Sequence, residues 1–162
     1  MATTLPLTNT AVVEVIGRGF TVHGTLQEAH TRVSDHFNEQ RHMIFVGDAR
    51  IAGVGGFLRK AGTVGINRDE IVLVIPVEEV FESTQLRIEK TRLPVRMVVD
   101  RWQLRGQVTV VHGVSLERFV NIGPESFIPV LDARLTGAGA DRNERLVLVR
   151  REAIRLLVPS TG

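Results

Sequence analysis

The chain has 162 residues, of which 43% are apolar and 23% charged, and its formal net charge is +2. That composition is sufficient for a hydrophobic core and excludes a chain that is disordered throughout. The absence of cysteine excludes disulfide scaffolds, thiol catalysis and cysteine-based metal sites. No apolar stretch approaches the roughly 20 residues of a membrane helix, and residues 1–10 lack the features of a secretory signal. We therefore expect a cytoplasmic protein.

In the first half of the chain, the clearest strand is predicted over 20–26, where apolar and polar residues alternate. Val33 and Phe37 are four residues apart, which places them on one face of a short helix. The last two strands are expected to form a hairpin that turns through residues 67–70. The predicted strands cover residues 12–16, 20–26, 44–51, 64–66 and 71–75.

The same order of elements recurs 82 to 84 residues further along the chain. Gly24 in the second strand matches Gly106, and the sequence Asp-Ala-Arg that begins at Asp48 matches the one that begins at Asp132. A fixed period of this kind is the signature of an internal repeat. The second copy is predicted to contain strands over 95–99, 102–108 and 128–135, a hairpin turning through 150–153, and a helix with Leu116 and Val120 on one face and Ser115 as its N-cap.

These matches indicate a duplicated chain with an N-terminal tail at 1–10, repeat 1 at 11–78, a linker at 79–92 and repeat 2 at 93–160. Each repeat has the predicted order strand, strand, short helix, strand, strand, strand. Five short antiparallel strands of this kind close most readily into a small barrel. The predicted fold is therefore mostly β, with two homologous small five-stranded antiparallel barrel-like units that each carry one short helix.

Three motifs recur at matching places: Gly24-x-Leu26 in the second strand, an asparagine ahead of a strand that ends in Asp-Ala, and Arg-x-x-Ile before the last strand, at 68–71 and 151–154. Together they resemble the Sm-like small-barrel family. The resemblance covers 11–78 and 93–160. The chain is also similar to a family of bacterial domains, often duplicated, whose function is unassigned. The resemblance implies small barrels that associate by pairing their edge strands.

Sm-like proteins bind RNA through loops that hold an asparagine and an arginine. Carried over by resemblance, the candidate nucleic-acid-binding residues are Asn38, Arg68, Asn121 and Arg151. The segments on both sides of Asn38 are longer than in the Sm-like pattern, because a predicted helix takes the place of a tight loop.

The sequence gives little support for catalysis or metal binding. The five histidines, at positions 23, 30, 36, 42 and 112, do not have the spacing of helical zinc ligands. Asp48 and Asp132 are repeated and are candidates for an acid and base pair, but each is followed by Ala-Arg, so a local Asp–Arg contact is the favoured interpretation. We expect a non-enzymatic protein with no metal and no cofactor.

We predict an interaction or assembly protein that acts as a homo-oligomer or as an accessory subunit. The apolar strand over 71–75 is the expected site of pairing, because the strand edges of small barrels are open to a partner. The alternative function is RNA or nucleotide binding through the four asparagine and arginine positions. No membrane partner is expected.

Overall fold

In the computed structural model, contacts divide the chain into two compact units, which we call unit 1 and unit 2. Unit 1 consists of residues 1–71 and 76–82, and unit 2 consists of 72–75 and 83–162. The predicted tail and residues 79–89 of the predicted linker lie outside the described residues. The structure describes residues 11–26, 33–39, 42–53, 60–78, 90–123, 125–137 and 139–160.

Within these residues the chain is mostly β, as predicted. Ten strands belong to one antiparallel sheet that is not closed, and two short helices accompany them. The strands are β1 Ala11–Gly17, β2 Thr21–Leu26, β3 Met43–Ala52, β4 Lys60–Asn67, β5 Ile71–Glu78, β6 Lys90–Val99, β7 Trp102–Val111, β8 Phe127–Gly137, β9 Ala140–Arg150 and β10 Ile154–Pro159. The helices are α1 Val33–Asn38 and α2 Leu116–Ile122.

The strand order is the same in the two repeats over their first four strands. In unit 1 the order is β5-β1-β2-β3-β4, and in unit 2 it is β10-β6-β7-β8-β9-β5. Strand β5 occurs in both because its central residues, 72–75, cluster with unit 2 while its ends cluster with unit 1. Consequently β4 is an edge strand of unit 1, and β10 is an edge strand of unit 2.

The predicted strand faces are confirmed by burial. Val22 and Leu26 of β2 are buried, as are Leu104 and Val108 of β7, while the alternate residues face outward. Both predicted helices are present, and the Ser115 side chain accepts a hydrogen bond from the backbone N–H of Arg118 at 3.2 Å. This contact confirms Ser115 as the N-cap of α2.

A β-bulge occurs at the same place in both repeats. Opposite Gly24 in β2, β3 contributes two residues, one of them Asp48 with φ 47°. Opposite Gly106 in β7, β8 contributes two residues, one of them Asp132 with φ 49°. In both places, therefore, an aspartate with a positive φ lies in the bulge and a glycine lies on the facing strand. Bulges increase the local twist of a strand pair.

The predicted hairpins at 67–70 and 150–153 are wrong. A single 3₁₀ turn follows β4 at Arg68–Glu70, and another follows β9 at Arg151–Ala153. After each turn the chain joins a different neighbour, so that β10 pairs with β6 and not with β9. Backbone hydrogen bonds to earlier segments hold each turn in place; for example, the Arg151 N–H donates to the Ser126 carbonyl oxygen at 2.7 Å.

Candidate functional site

The arginine predicted from the Sm-like resemblance in repeat 2, Arg151, is held in a structural role. Its Nη1 donates to the carbonyl oxygens of Val120 at 3.2 Å and Gly123 at 2.6 Å, and its Nη2 donates to the carbonyl oxygen of Glu125. Carbonyls at the end of a helix lack partners within the helix. The Arg151 guanidinium therefore binds the C-terminal end of α2 and the loop that follows it.

The other three predicted nucleic-acid-binding residues are Asn121 of repeat 2 and, in repeat 1, Asn38 and Arg68, which correspond to Asn121 and Arg151. Asn121 is an exposed residue of α2, immediately after a residue whose carbonyl Arg151 binds. Asn38 is the last residue of α1 and is half-buried. Arg68 is also half-buried, at the start of the 3₁₀ turn that Asn67 caps by accepting from the Asp69 N–H at 2.9 Å. In repeat 2 the structure thus brings arginine and asparagine to one helix end.

The repeated aspartates have a backbone role that neither sequence interpretation included. Asp48 and Asp132 occupy the left-handed region inside the two bulges, where aspartate and asparagine are the most tolerated residues after glycine. Arg134 pairs with Asp141 instead of the neighbouring Asp132, and Asp132 lies 3.8 Å from Arg92. The sequence signal was the repeated combination of a strand glycine and a later Asp-Ala.

Arg134 and Asp141 form an exposed ion pair in unit 2 that is joined by two hydrogen bonds. Nε and Nη2 of Arg134 donate to the two carboxylate oxygens of Asp141 at 3.1 and 2.9 Å. This side-chain hydrogen bonding, together with the positive charge of Arg134, lowers the pKa of the Asp141 carboxyl below its ordinary value and raises the pKa of the guanidinium. Because both groups are exposed, solvent screens the interaction.

The histidines of the described residues do not form a metal centre. His23 Nε2 lies 3.4 Å from Oε1 of buried Glu14, and buried His36 packs edge-on against Phe37 in α1. Within the described ranges, no group of three histidine, aspartate or glutamate side chains is placed to hold a metal ion. His30 lies outside those ranges.

The apolar strand that was expected to be a free edge is already paired. Residues 71–75 of β5 are at most 1% exposed, and Leu73 and Val74 are in register with Val149 and Leu148 of β9. The prediction that this strand awaits a partner is therefore wrong. A strand so apolar is characteristic of the interior of a sheet, where both faces are covered.

The available edges are instead β4 and β10. Strand β10 exposes two large apolar side chains, Leu156 at 63% and Val158 at 54%. Strand β4 begins with Lys60 and includes Gly62 and Gly65, and most of its residues are at least partly exposed. Sequence reasoning missed these edges because the choice of edge depends on which distant strands pair.

Comparisons with protein-family models, with curated proteins and with solved structures find no significant match to this chain. Neither of the helices among the described residues has the length and hydropathy that crossing a membrane requires.

Proposed function

We propose that the chain is a non-enzymatic assembly protein built from two Sm-like β repeats, which acts by associating with copies of itself or as the accessory subunit of a larger complex. The proposal rests on one observation, the pairing of β5 with β9 in unit 2. In terms of the repeats, β5 is the fifth strand of repeat 1 and β9 is the fourth strand of repeat 2.

The two edge strands correspond to these two strands in the other repeat: β4 corresponds to β9, and β10 corresponds to β5. Strand β4 is the fourth strand of repeat 1, and β10 is the fifth strand of repeat 2. Pairing β10 of one chain with β4 of the next would repeat, between chains, the ladder that β5 and β9 make within one chain. Such a head-to-tail contact is heterologous, so it generates a ring if the rotation closes.

The repeat spacing gives the register of this proposed contact. Leu73 and Val149 are partners in β5 and β9, and their equivalents in the other copy are Leu156 and Ile66. An antiparallel ladder continued from that pair places Val158 of one chain opposite Val64 of the next. The exposed apolar side chains of β10 support this edge as the one that associates, since open edges are otherwise protected by charge or proline.

The test uses the natural absence of cysteine, which makes every introduced thiol unique. V64C and V158C are prepared separately, mixed, and treated with a short bismaleimide, with R118C on the exposed face of α2 as the matched control. We expect cross-linked dimers in the V64C and V158C mixture and none in either variant alone or with R118C. Light scattering on the unmodified protein should give a mass above that of one chain.

Two results would contradict the head-to-tail contact between β10 and β4. A monomeric mass at all concentrations, with no cross-linked product in the mixture, would rule out self-association through these edges. Cross-linking of V158C with itself would show an isologous contact between two β10 strands, and the head-to-tail register would then be incorrect.

A further inference from the structure

Three arginines occupy directly neighbouring positions on three adjacent strands of unit 2. Arg96 of β6 is in register with Arg105 of β7, and Arg105 is in register with Arg134 of β8. All three are exposed on the outward face of these strands. Directly opposite residues of an antiparallel pair lie about 5 Å apart, and like charges in that position destabilise the sheet. We call these residues the arginine row.

Repeat 1 does not share this arrangement. The equivalent positions are Glu14, His23 and Arg50, which are in register with one another in the same way. There, the Glu14 carboxylate lies 3.4 Å from the His23 ring, and the two ends of the row are an acidic and a basic residue, Glu14 and Arg50. Because these three strands have the same pairing and the same bulge in both units, this arrangement of strands does not require an arginine row, and the presence of the row in unit 2 needs a separate reason.

The arginine row borders a surface cavity of about 340 Å³ within unit 2. That volume is in the range of sites for small molecules. The cavity is also lined by three apolar side chains, Val98, Leu156 and Val158; Val158 lies directly opposite Arg96 in the strand register, and Leu156 lies opposite Val98. Leu156 and Val158 are among the most exposed large apolar side chains of the described residues. The lining of the cavity therefore combines guanidinium groups with neighbouring exposed apolar side chains.

The charges of the row are only partly balanced within the described residues. Arg134 is paired with Asp141 through two hydrogen bonds. Among those residues, neither Arg96 nor Arg105 forms an ion pair with a carboxylate, and no residue lining the cavity is acidic. Two adjacent guanidinium groups are thus available to an external anion.

We propose that this cavity binds a small anionic amphiphile, with its phosphate or carboxylate head on Arg96 and Arg105 and its apolar body against Val98, Leu156 and Val158. The guanidinium group presents a planar fork of donors that matches the oxygens of phosphate and carboxylate. The head would also relieve the repulsion between the neighbouring arginines. Leu156 and Val158 also belong to the β10 edge of the proposed association, whereas Arg96 and Arg105 lie on the interior strands β6 and β7, so substitution of Arg105 tests the anion site separately from association.

Octyl phosphate is the probe, and isothermal calorimetry compares it with octanol and with inorganic phosphate. We expect saturable binding of one octyl phosphate per chain, weaker binding of inorganic phosphate, and the weakest binding of octanol. R105Q should weaken the binding of octyl phosphate by about tenfold or more, because the central guanidinium provides charge-assisted hydrogen bonds to the head group. R118Q removes the same charge from exposed α2 and should leave binding unchanged.

Two further measurements separate the parts of the proposal. L156S should weaken the binding of octyl phosphate several-fold and leave the binding of inorganic phosphate unchanged, because Leu156 is proposed to contact only the apolar body of the ligand. Without any probe, R105Q should melt at the same temperature as the parent or higher, because it removes like-charge repulsion across the strands; this also verifies that it folds.

The assignment would be overturned if octyl phosphate bound no more tightly than octanol, or if R105Q and R118Q had equal effects. Binding to vesicles that contain phosphatidic acid, with no binding of dispersed octyl phosphate, would also overturn it, because the site would then recognise a lipid surface and not a soluble ligand.

Discussion

Replacing Gly24 by alanine tests whether the repeated bulge requires a glycine on the facing strand. A Cβ built at Gly24 would lie 2.5 Å from the carbonyl oxygen of Gly47 and 2.3 Å from Cγ1 of Val46. The carbonyl is fixed in the β3 ladder, and Val46 is buried and β-branched, so it has little freedom to change its rotamer. Overpacking of this kind costs about 1–3 kcal/mol, whereas alanine recovers about 0.4–1 kcal/mol by restricting the unfolded chain.

The matched control is Gly62→Ala, in the same unit and also in a strand. A Cβ at Gly62 would have no atom within 4 Å, so this variant keeps only the favourable effect on the unfolded chain. We therefore expect the free energy of unfolding to differ between the two variants by about 2 kcal/mol. For a chain of this size, that difference corresponds to about 4–8 °C in melting temperature.

Urea denaturation followed by circular dichroism measures the difference. Gly106→Ala, whose added Cβ would lie 2.9 Å from the Leu131 carbonyl oxygen, should behave as Gly24→Ala does. If Gly24→Ala and Gly62→Ala were equally stable, the close approach of the two strands at the bulge would not be a constraint, and the explanation of the repeated glycine would be wrong.

Three other predictions each concern a single residue. Asp132→Gly should raise the free energy of unfolding by about 0.5–1 kcal/mol, because relief of the left-handed conformation, about 1–2 kcal/mol, exceeds the about 0.4–1 kcal/mol lost to a freer unfolded chain; a decrease in urea denaturation would contradict this. Arg151→Met should lower stability by about 2–3 kcal/mol and speed amide exchange in α2, and unchanged exchange would refute the role of Arg151 at that helix end. The carboxyl pKa of Asp141, followed by NMR, should lie below its ordinary value and rise in Arg134→Gln. Because the folded pKa is lowered, the pair stabilises the fold above the unfolded pKa and loses this effect as pH falls through the folded pKa; an unchanged pKa in the variant would rule out the pairing.

The local elements were predictable because their signals lie within a few residues. Alternation in the strand around Leu104 and the spacing of Leu116 and Val120 depend only on the period of strand or helix. The cap at Ser115 is equally local. These features were confirmed, and they defined the content of each repeat without any knowledge of how its strands pair.

The pairing partners were not predictable, because they depend on contacts between distant segments. The run at 71–75 is compatible with a hairpin, a free edge or an interior strand, and only the β9 partner distinguishes them. The arginine row was missed for a related reason. Arg105 and Arg134 become neighbours only because the bulge at Asp132 shifts the register between their strands.

The assignment of residues 72–75 to unit 2 has a consequence for the order of folding. During synthesis these apolar residues leave the ribosome long before β9, with which they pair, has been made. Unit 2 therefore cannot be completed from repeat 2 alone, and its final ladder spans a large separation along the chain, which slows folding. In the interval, β1 can pair with one edge of β5, but the edge that later joins β9 stays open, and an open apolar edge is prone to aggregation. Efficient production of this protein would thus depend on how well the nascent first half shields that segment until the second half arrives.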